Sequence, residues 1–122
     1  MGMNYRIDHA RGLVVTRVWG TFTNDDLRDG ISYLIADPRF DHQYRSLVDM
    51  RDVLAITVDA WVIAETAKTP LFASESRRAI VAPTDHAFGI ARMYAAYAEH
   101  EGCKVQVFRE LAEAEEWLGL KA

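Results

Sequence analysis

The chain has 122 residues, half of them hydrophobic, and a formal net charge of −4. This length and composition predict a single domain, residues 1–122, whose apolar core needs neither a metal nor a disulfide. The mildly acidic charge argues against a nucleic-acid-binding protein, which usually has a basic surface. The single cysteine, Cys103, is typical of a reducing, cytoplasmic setting. No apolar run reaches the roughly 20 residues that a membrane-spanning helix requires, so we expect no stable membrane anchoring.

The first predicted elements are a β-hairpin and a helix. The runs YRIDH and GLVVTRVWG flank a short turn that ends at Gly12, a pattern typical of two paired strands. Thr23 is placed as the N-cap of the helix, and Pro38 is expected to end it near Asp37. A spacing of i, i+4, i+7 and i+8 predicts that one helix face is buried, made of Leu27, Ile31, Leu34 and Ile35.

Three further strands alternate with three further helices. The predicted strands are SLVDM (46–50), AIVA (79–82) and KVQVF (104–108). The helices are expected to begin at Thr57, at Thr84 and within ELAEAEEWLG, where Gly119 is the predicted C-cap. The order β-β-α-β-α-β-α-β-α predicts an α/β fold. Its sheet is expected to be mixed but mainly parallel, with one antiparallel strand from the hairpin and helices on both faces.

Polar residues follow two of the predicted parallel strands. Ligands of open α/β sheets bind beyond the carboxyl ends of the strands, so the segments after SLVDM and AIVA are the candidate site. Each residue also has a structural interpretation: pairing with each other's neighbours for Asp49 and Arg51, a helix cap for Thr57, a surface histidine for His86, and a salt bridge for Arg92 instead of an anion clamp. The candidate ligand-binding residues are Asp49, Arg51, Thr57, His86 and Arg92.

Common catalytic and cofactor motifs do not occur in the sequence. The four histidines lack the HExxH spacing, and one cysteine cannot form a zinc cluster. The sequence also contains no GxGxxG fingerprint, no P-loop and no GxSxG elbow. We therefore expect no metal, no cofactor and no catalytic residue.

Four stretches together resemble the SpoIIAA-like branch of the STAS-like families. They are GLVVTRVWGTFTNDDL, SLVDMRDV, RRAIVAPTDHAFGIARMY and VQVFRELAEAEEWLG, and the resemblance covers nearly the whole chain. The resemblance implies a compact α/β domain that regulates or binds and does not catalyse. In anti-anti-sigma factors of this kind, a partner kinase phosphorylates a serine at the start of the second helix. The matching stretch here, AITVDAW, has no serine or glycine, so Thr57 is the candidate modification site.

These observations leave two functional hypotheses. The first is a non-enzymatic STAS-like module that acts through a regulatory protein partner or by sensing a small ligand, with a homodimer among its expected states. The second is a small-molecule or lipid-binding protein, or a minor enzyme, with a pocket near residues 49–51 and 82–86. It rests on a related superfold that holds lipids and other apolar ligands between helices and sheet, and its ligand would be anionic or apolar. The apolar residues to check for surface exposure are Trp19, Trp61 and Phe72.

Overall fold

The computed structural model describes residues 2–69 and 71–120 of the chain. It confirms the predicted mixed α/β class and the predicted order of elements. The strands are β1 (Met3–Asp8), β2 (Leu13–Phe22), β3 (Arg45–Ile56), β4 (Arg77–Val81) and β5 (Lys104–Phe108). The helices are α1 (Asn24–Ala36), α2 (Ala60–Ala67), α3 (Asp85–His100) and α4 (Leu111–Trp117).

The five strands form one sheet in the order β1-β2-β3-β4-β5. β1 pairs with β2 in the antiparallel direction, and the other three pairs are parallel, as predicted. Because each right-handed crossover moves one strand further in the same direction, α1, α2 and α3 lie on the same face of the sheet. We call this side the three-helix face, and the opposite side, which α4 covers, the α4 face.

Each face has its own hydrophobic core. On the three-helix face, side chains from the middle of the sheet pack against α2 and α3, with members that include Val18, Met50, Ile80, Val62, Ile63 and Ala91. On the α4 face, side chains from the opposite side of the same strands pack against Ala114 and Leu118. These side chains belong to Leu13, Leu47, Ala79 and Val81. The alternation of side chains along each strand separates the two sets.

Helix α1 begins as predicted but buries less of its apolar stripe than expected. The Thr23 hydroxyl accepts a hydrogen bond from the backbone N–H of Asp26, and the Asp26 carboxylate accepts one from the N–H of Thr23, which forms a capping box. Leu34 is buried, whereas Ile35 is 53% exposed, so its prediction as a buried residue is wrong. The helix packs beside β1 at the sheet edge, and Ile35 lies on the flank of the stripe, where it stays accessible to solvent.

The second crossover differs from the prediction at both ends. β3 is longer than SLVDM because it continues to pair with β2 as far as Ile56, across two irregularities in register. The Thr57 N–H still donates to the Phe22 carbonyl at 2.9 Å, so Thr57 extends this pairing and is not a helix cap. Helix α2 begins later, at Ala60, with Asp59 at the N-cap position.

The first residues of β4 and α3 determine where the side chains of the candidate site lie. β4 begins at Arg77, two residues before the predicted AIVA strand, because Arg77 and Arg78 pair with Lys104 and Val105 of β5. Helix α3 begins after Thr84, whose hydroxyl accepts from the N–H of Ala87 at 3.2 Å, as predicted. The early start of β4 places Arg78 within the sheet.

Candidate functional site

A partly enclosed cavity of about 130 Å³ lies between the three-helix face of the sheet and helices α1, α2 and α3. Its size is close to that of engineered apolar cavities of about 150 Å³ that stay dry and bind benzene. The cavity can therefore hold an apolar group without rearrangement of the fold. Most of its wall is aliphatic or aromatic, with side chains that include Val18, Leu27, Ile31, Leu34, Val48, Met50, Ile63, Phe72, Ile80 and Ile90.

A small polar group interrupts this apolar wall. Ser46 of β3 is the direct partner of Arg78 of β4. Thr16 of β2 is paired with Val48 of β3, two residues further along that strand than Ser46. All three side chains are buried. Tyr94 of α3 lies above them, and its hydroxyl accepts a hydrogen bond from Nη1 of Arg78 at 2.9 Å. The sheet and α3 thus place one cation and three hydroxyls together at the cavity wall.

Arg78 is the unusual member of this group. Its side chain faces the three-helix side, the residue is only 6% exposed, and its guanidinium lies 5.5 Å from the centroid of the Phe72 ring. No carboxylate of the described residues lies within 4 Å of it, and its Nε has no hydrogen-bond partner. A guanidinium keeps its proton in proteins and cannot neutralise itself when it is buried. The cavity wall therefore carries a positive charge that the described side chains leave unbalanced.

The Tyr94 hydroxyl is arranged to contact a further acceptor. Burial raises the pKa of Tyr94 above its usual value, although the nearby Arg78 guanidinium opposes this rise. The hydroxyl consequently keeps its proton at neutral pH. Its oxygen accepts the Arg78 N–H, which leaves the O–H of Tyr94 free to donate to a group beside Arg78.

A second tyrosine closes the cavity at the sheet edge. Tyr5 of β1 lines the cavity, and its hydroxyl donates to a carboxylate oxygen of Asp37 at 2.7 Å. Arg39 donates to the same carboxylate from its backbone and from its guanidinium. The hydrogen bonds from the Arg39 guanidinium, followed by the one from Tyr5, hold the pKa of Asp37 well below its usual range. These contacts tie β1 to the end of α1 and fix one cavity wall.

We expect the Asp37 contacts to make the fold sensitive to acid. Because the pKa of Asp37 is lower in the folded state, its contribution to stability is complete above the unfolded value of about 3.9 and is lost as the pH falls below it. Melting temperatures measured from pH 7 to pH 2.5 should therefore fall less steeply for Asp37→Asn than for the wild type. Asp41→Asn, an exposed position, is the control. A wild-type to Asp37→Asn difference that stays constant across this range would contradict the expectation.

The described residues offer no alternative centre of metal chemistry. Across residues 2–69 and 71–120, no group of three or more His, Cys, Asp or Glu side chains is placed to hold a metal ion. No described helix is both long enough and apolar enough to cross a membrane.

The family model described as SpoIIAA-like matches residues 13–119, which is most of the chain. The chain belongs to the SpoIIAA-like family. This membership confirms the resemblance seen in the sequence, and it supports a regulatory or binding module in general.

A solved structure shares the same architecture. The crystal structure of an uncharacterised protein with a SpoIIAA-like fold, from Shewanella loihica PV-4, superposes with a TM-score of 0.63. The two sequences are 14% identical, and the match covers 96% of this chain and 94% of the other. At this identity the likeness shows the fold alone. The chain has no significant match among curated proteins.

The predicted site residues of this SpoIIAA-like domain lie outside the cavity wall. Asp49 and Arg51 form an ion pair, with guanidinium nitrogens 2.9 Å from both carboxylate oxygens. Burial would raise the pKa of Asp49, but the hydrogen bonds from Arg51 outweigh it and lower the pKa. Asp49 shares a side of β3 with Leu47, on the α4 face. The two residues thus pair with each other, whereas a role in binding stays a prediction.

The other three predicted residues are exposed and separate. The Thr57 hydroxyl donates to the Phe22 carbonyl at 3.4 Å, and His86 lies in the first turn of α3. Arg92 lies with its guanidinium 5.9 Å from the centroid of the Phe88 ring and within 4 Å of no described carboxylate. The structure thus brings only Asp49 and Arg51 into contact, and phosphorylation of Thr57 stays a prediction.

The three apolar residues proposed for surface exposure differ from one another. Trp61 is 58% exposed, and the Arg28 guanidinium lies 5.0 Å from its ring centroid. Trp19 is half-buried. Phe72 is buried and forms part of the cavity wall, so it is not available for a surface contact.

The polar residues of the cavity wall were not selected from the sequence. The sequence of β4 does contain an indication that Arg78 is buried. Arg78 lies two residues before Ile80, so the two side chains lie on the same side of the strand. A strand that begins at Arg77 and is covered on both faces would bury Arg78. The prediction started the strand at Ala79 and therefore left Arg78 in the preceding loop. Thr16 and Ser46 carry no such signal, since single hydroxyls are common in strands.

Proposed function

We propose that this domain is a binding module that holds a small apolar molecule in the cavity beneath α1, α2 and α3. The observation that supports this most directly is a preformed cavity of about 130 Å³ with a mainly apolar wall. Natural ligand sites combine such walls with a few well-placed polar groups, as the cluster around Arg78 does here. The position differs from the one expected from sequence: Met50 lines this cavity, but Asp49, Arg51 and residues 82–86 do not.

The chemistry of the wall supports binding and not catalysis. The described residues that line the cavity include no histidine, cysteine, aspartate, glutamate or lysine. A general acid or base that works near neutral pH is most often one of these residues. The wall also contains Tyr5 and Tyr94, but the pKa of each is raised above its usual value, so both hydroxyls keep their protons. An arginine and a few hydroxyls can orient a ligand, but they are poor groups for moving protons. A regulatory protein partner, a homodimer and a cytoplasmic location all stay predictions.

Titration with a neutral apolar molecule tests the proposal. We expect 1-octanol to bind saturably and to shift the NMR methyl signals of cavity residues such as Ile63 and Ile80, while the signal of Leu13 on the α4 face stays in place. Ligand at about 100 times its Kd should also stabilise the fold by about 2.7 kcal/mol. Absence of saturable shifts at the cavity methyls would contradict the proposed function.

A variant that fills the cavity gives the matched control. Ala91 of α3 is buried and lines the cavity, whereas Ala96 on the same helix is exposed. Ala91→Phe should weaken octanol binding by about tenfold or more, because the ring occupies the space of the ligand. Ala96→Phe makes the same change in helix propensity and should bind as the wild type does. Equal affinities in both variants would place the ligand elsewhere.

A further inference from the structure

The cavity contains one feature that an entirely apolar ligand would leave unused. Arg78 is 6% exposed, its Nε has no hydrogen-bond partner, and its described neighbours provide no carboxylate within 4 Å. Burial of a charge without a partner is strongly unfavourable. A residue that only packed against the apolar wall could be methionine or leucine at lower cost. The unpaired guanidinium therefore indicates an anionic group on the ligand.

We infer that the natural ligand is an amphipathic monocarboxylate whose carboxylate binds Arg78 and whose apolar part fills the cavity. This inference rests on the proposed function, because it assigns the ligand class of the same site. The planar guanidinium fork matches the two oxygens of a carboxylate. The ligand thus supplies the negative charge that the described side chains around Arg78 do not.

The neighbouring hydroxyls fit a carboxylate at this position. Ser46 is the direct neighbour of Arg78 across β3 and β4, and Thr16 lies one row away on β2. The Tyr94 oxygen already accepts from Arg78, so its O–H can donate to a further acceptor. A carboxylate has about four lone-pair positions and can accept from the guanidinium and from hydroxyls at once. The polar group can therefore surround the headgroup on several sides.

The charge balance favours a carboxylate over a phosphate. Arg78 is the one cationic side chain among the described residues of the cavity wall. It neutralises a single negative charge, whereas a phosphate monoester carries nearly two at neutral pH. The second charge would be buried against apolar side chains such as Phe72 and Ile80. A single negative charge on an apolar body fits this wall better.

A comparison of ligands that share one apolar chain tests the inference. At pH 7 we expect octanoate to bind the wild type about 10- to 100-fold more tightly than 1-octanol, as a charge-assisted contact provides. Octylammonium and octyl phosphate should bind more weakly than octanoate. Equal affinities for octanoate and octanol would overturn the inference while leaving the proposed function intact. Tighter binding of octyl phosphate would overturn the assignment of a carboxylate.

Variants of the polar group give an independent readout. Arg78→Met should abolish the preference for octanoate over octanol, since it removes the charge and keeps the apolar wall. Arg78→Lys should keep part of the preference, because it keeps the charge and loses the fork. Ser46→Ala should reduce the ratio of octanoate affinity to octanol affinity, because it removes one hydroxyl beside the proposed carboxylate position. An undiminished octanoate preference in Arg78→Met would overturn the inference. Failure of the wild type to bind octanol would instead contradict the proposed function.

Discussion

Replacing Arg78 with methionine is expected to raise the free energy of unfolding by about 1–4 kcal/mol. Arg78 is nearly inaccessible to solvent and has no described acidic partner, so the folded state bears the cost of desolvating its charge. Methionine fills a similar volume without a charge and packs well against Phe72. The loss of the hydrogen bond to Tyr94 offsets only about 0.5–1.5 kcal/mol of this gain.

Urea unfolding of the ligand-free protein provides the measurement. The Arg78→Met midpoint should move to higher urea with an unchanged slope. Arg92→Met is the matched control, since Arg92 is exposed, and its stability should stay within about 0.5 kcal/mol of the wild type. Octanoate should stabilise the wild type and not Arg78→Met. A large loss of stability in Arg78→Met would show that the guanidinium is a structural element of the core.

Replacing Leu13 with alanine is expected to lower the free energy of unfolding by about 2–5 kcal/mol. Leu13 is fully buried in the core of the α4 face, where Leu118 and Ala114 press α4 against the sheet. Removal of its side chain leaves a void that the flanking strands cannot close without a change of register. Val15→Ala in the same cluster should cost less, because Val15 is only partly buried.

The same variant tests whether the two faces act independently. Leu13 lies on the opposite side of β2 from Thr16 and Val18, which line the cavity. Octanol affinity of Leu13→Ala, measured well below its unfolding transition, should match that of the wild type. A fall in affinity that follows the fall in stability would show that the cavity depends on packing of the α4 face.

Much of the fold could be predicted because its determinants are local. The β-rich runs, the caps at Thr23 and Thr84, and the turn at Gly12 each depend on neighbouring residues, and all are present in the structure. The cap expected at Thr57 is absent, because the Thr57 N–H donates to the Phe22 carbonyl of β2 instead. β3 continued its pairing with β2 beyond the point at which local sequence favoured a helix.

The candidate site could not be predicted in the same way. The rule that placed it at the strand ends applies where the order of parallel strands reverses and opens a crevice. Here the parallel strands follow chain order without a reversal, so no such crevice is formed. Three crossover helices instead share one face, and the cavity lies beneath them. The burial of Arg78 follows from that arrangement and from the true start of β4, neither of which is encoded in a short motif.

The sequential order of the sheet also bears on synthesis of the protein. Each strand pairs only with strands that are adjacent to it in chain order, so no late strand must insert between two earlier ones. Each parallel pairing closes a single crossover, such as the one between Leu13 and Arg45, and not a longer connection past another strand. The sheet can therefore grow in the direction of translation, one crossover at a time. The cavity wall includes Tyr94 and Val105, so it is complete only after both residues have been synthesised. A nascent chain that ends before α3 therefore has a partial sheet and no enclosed site.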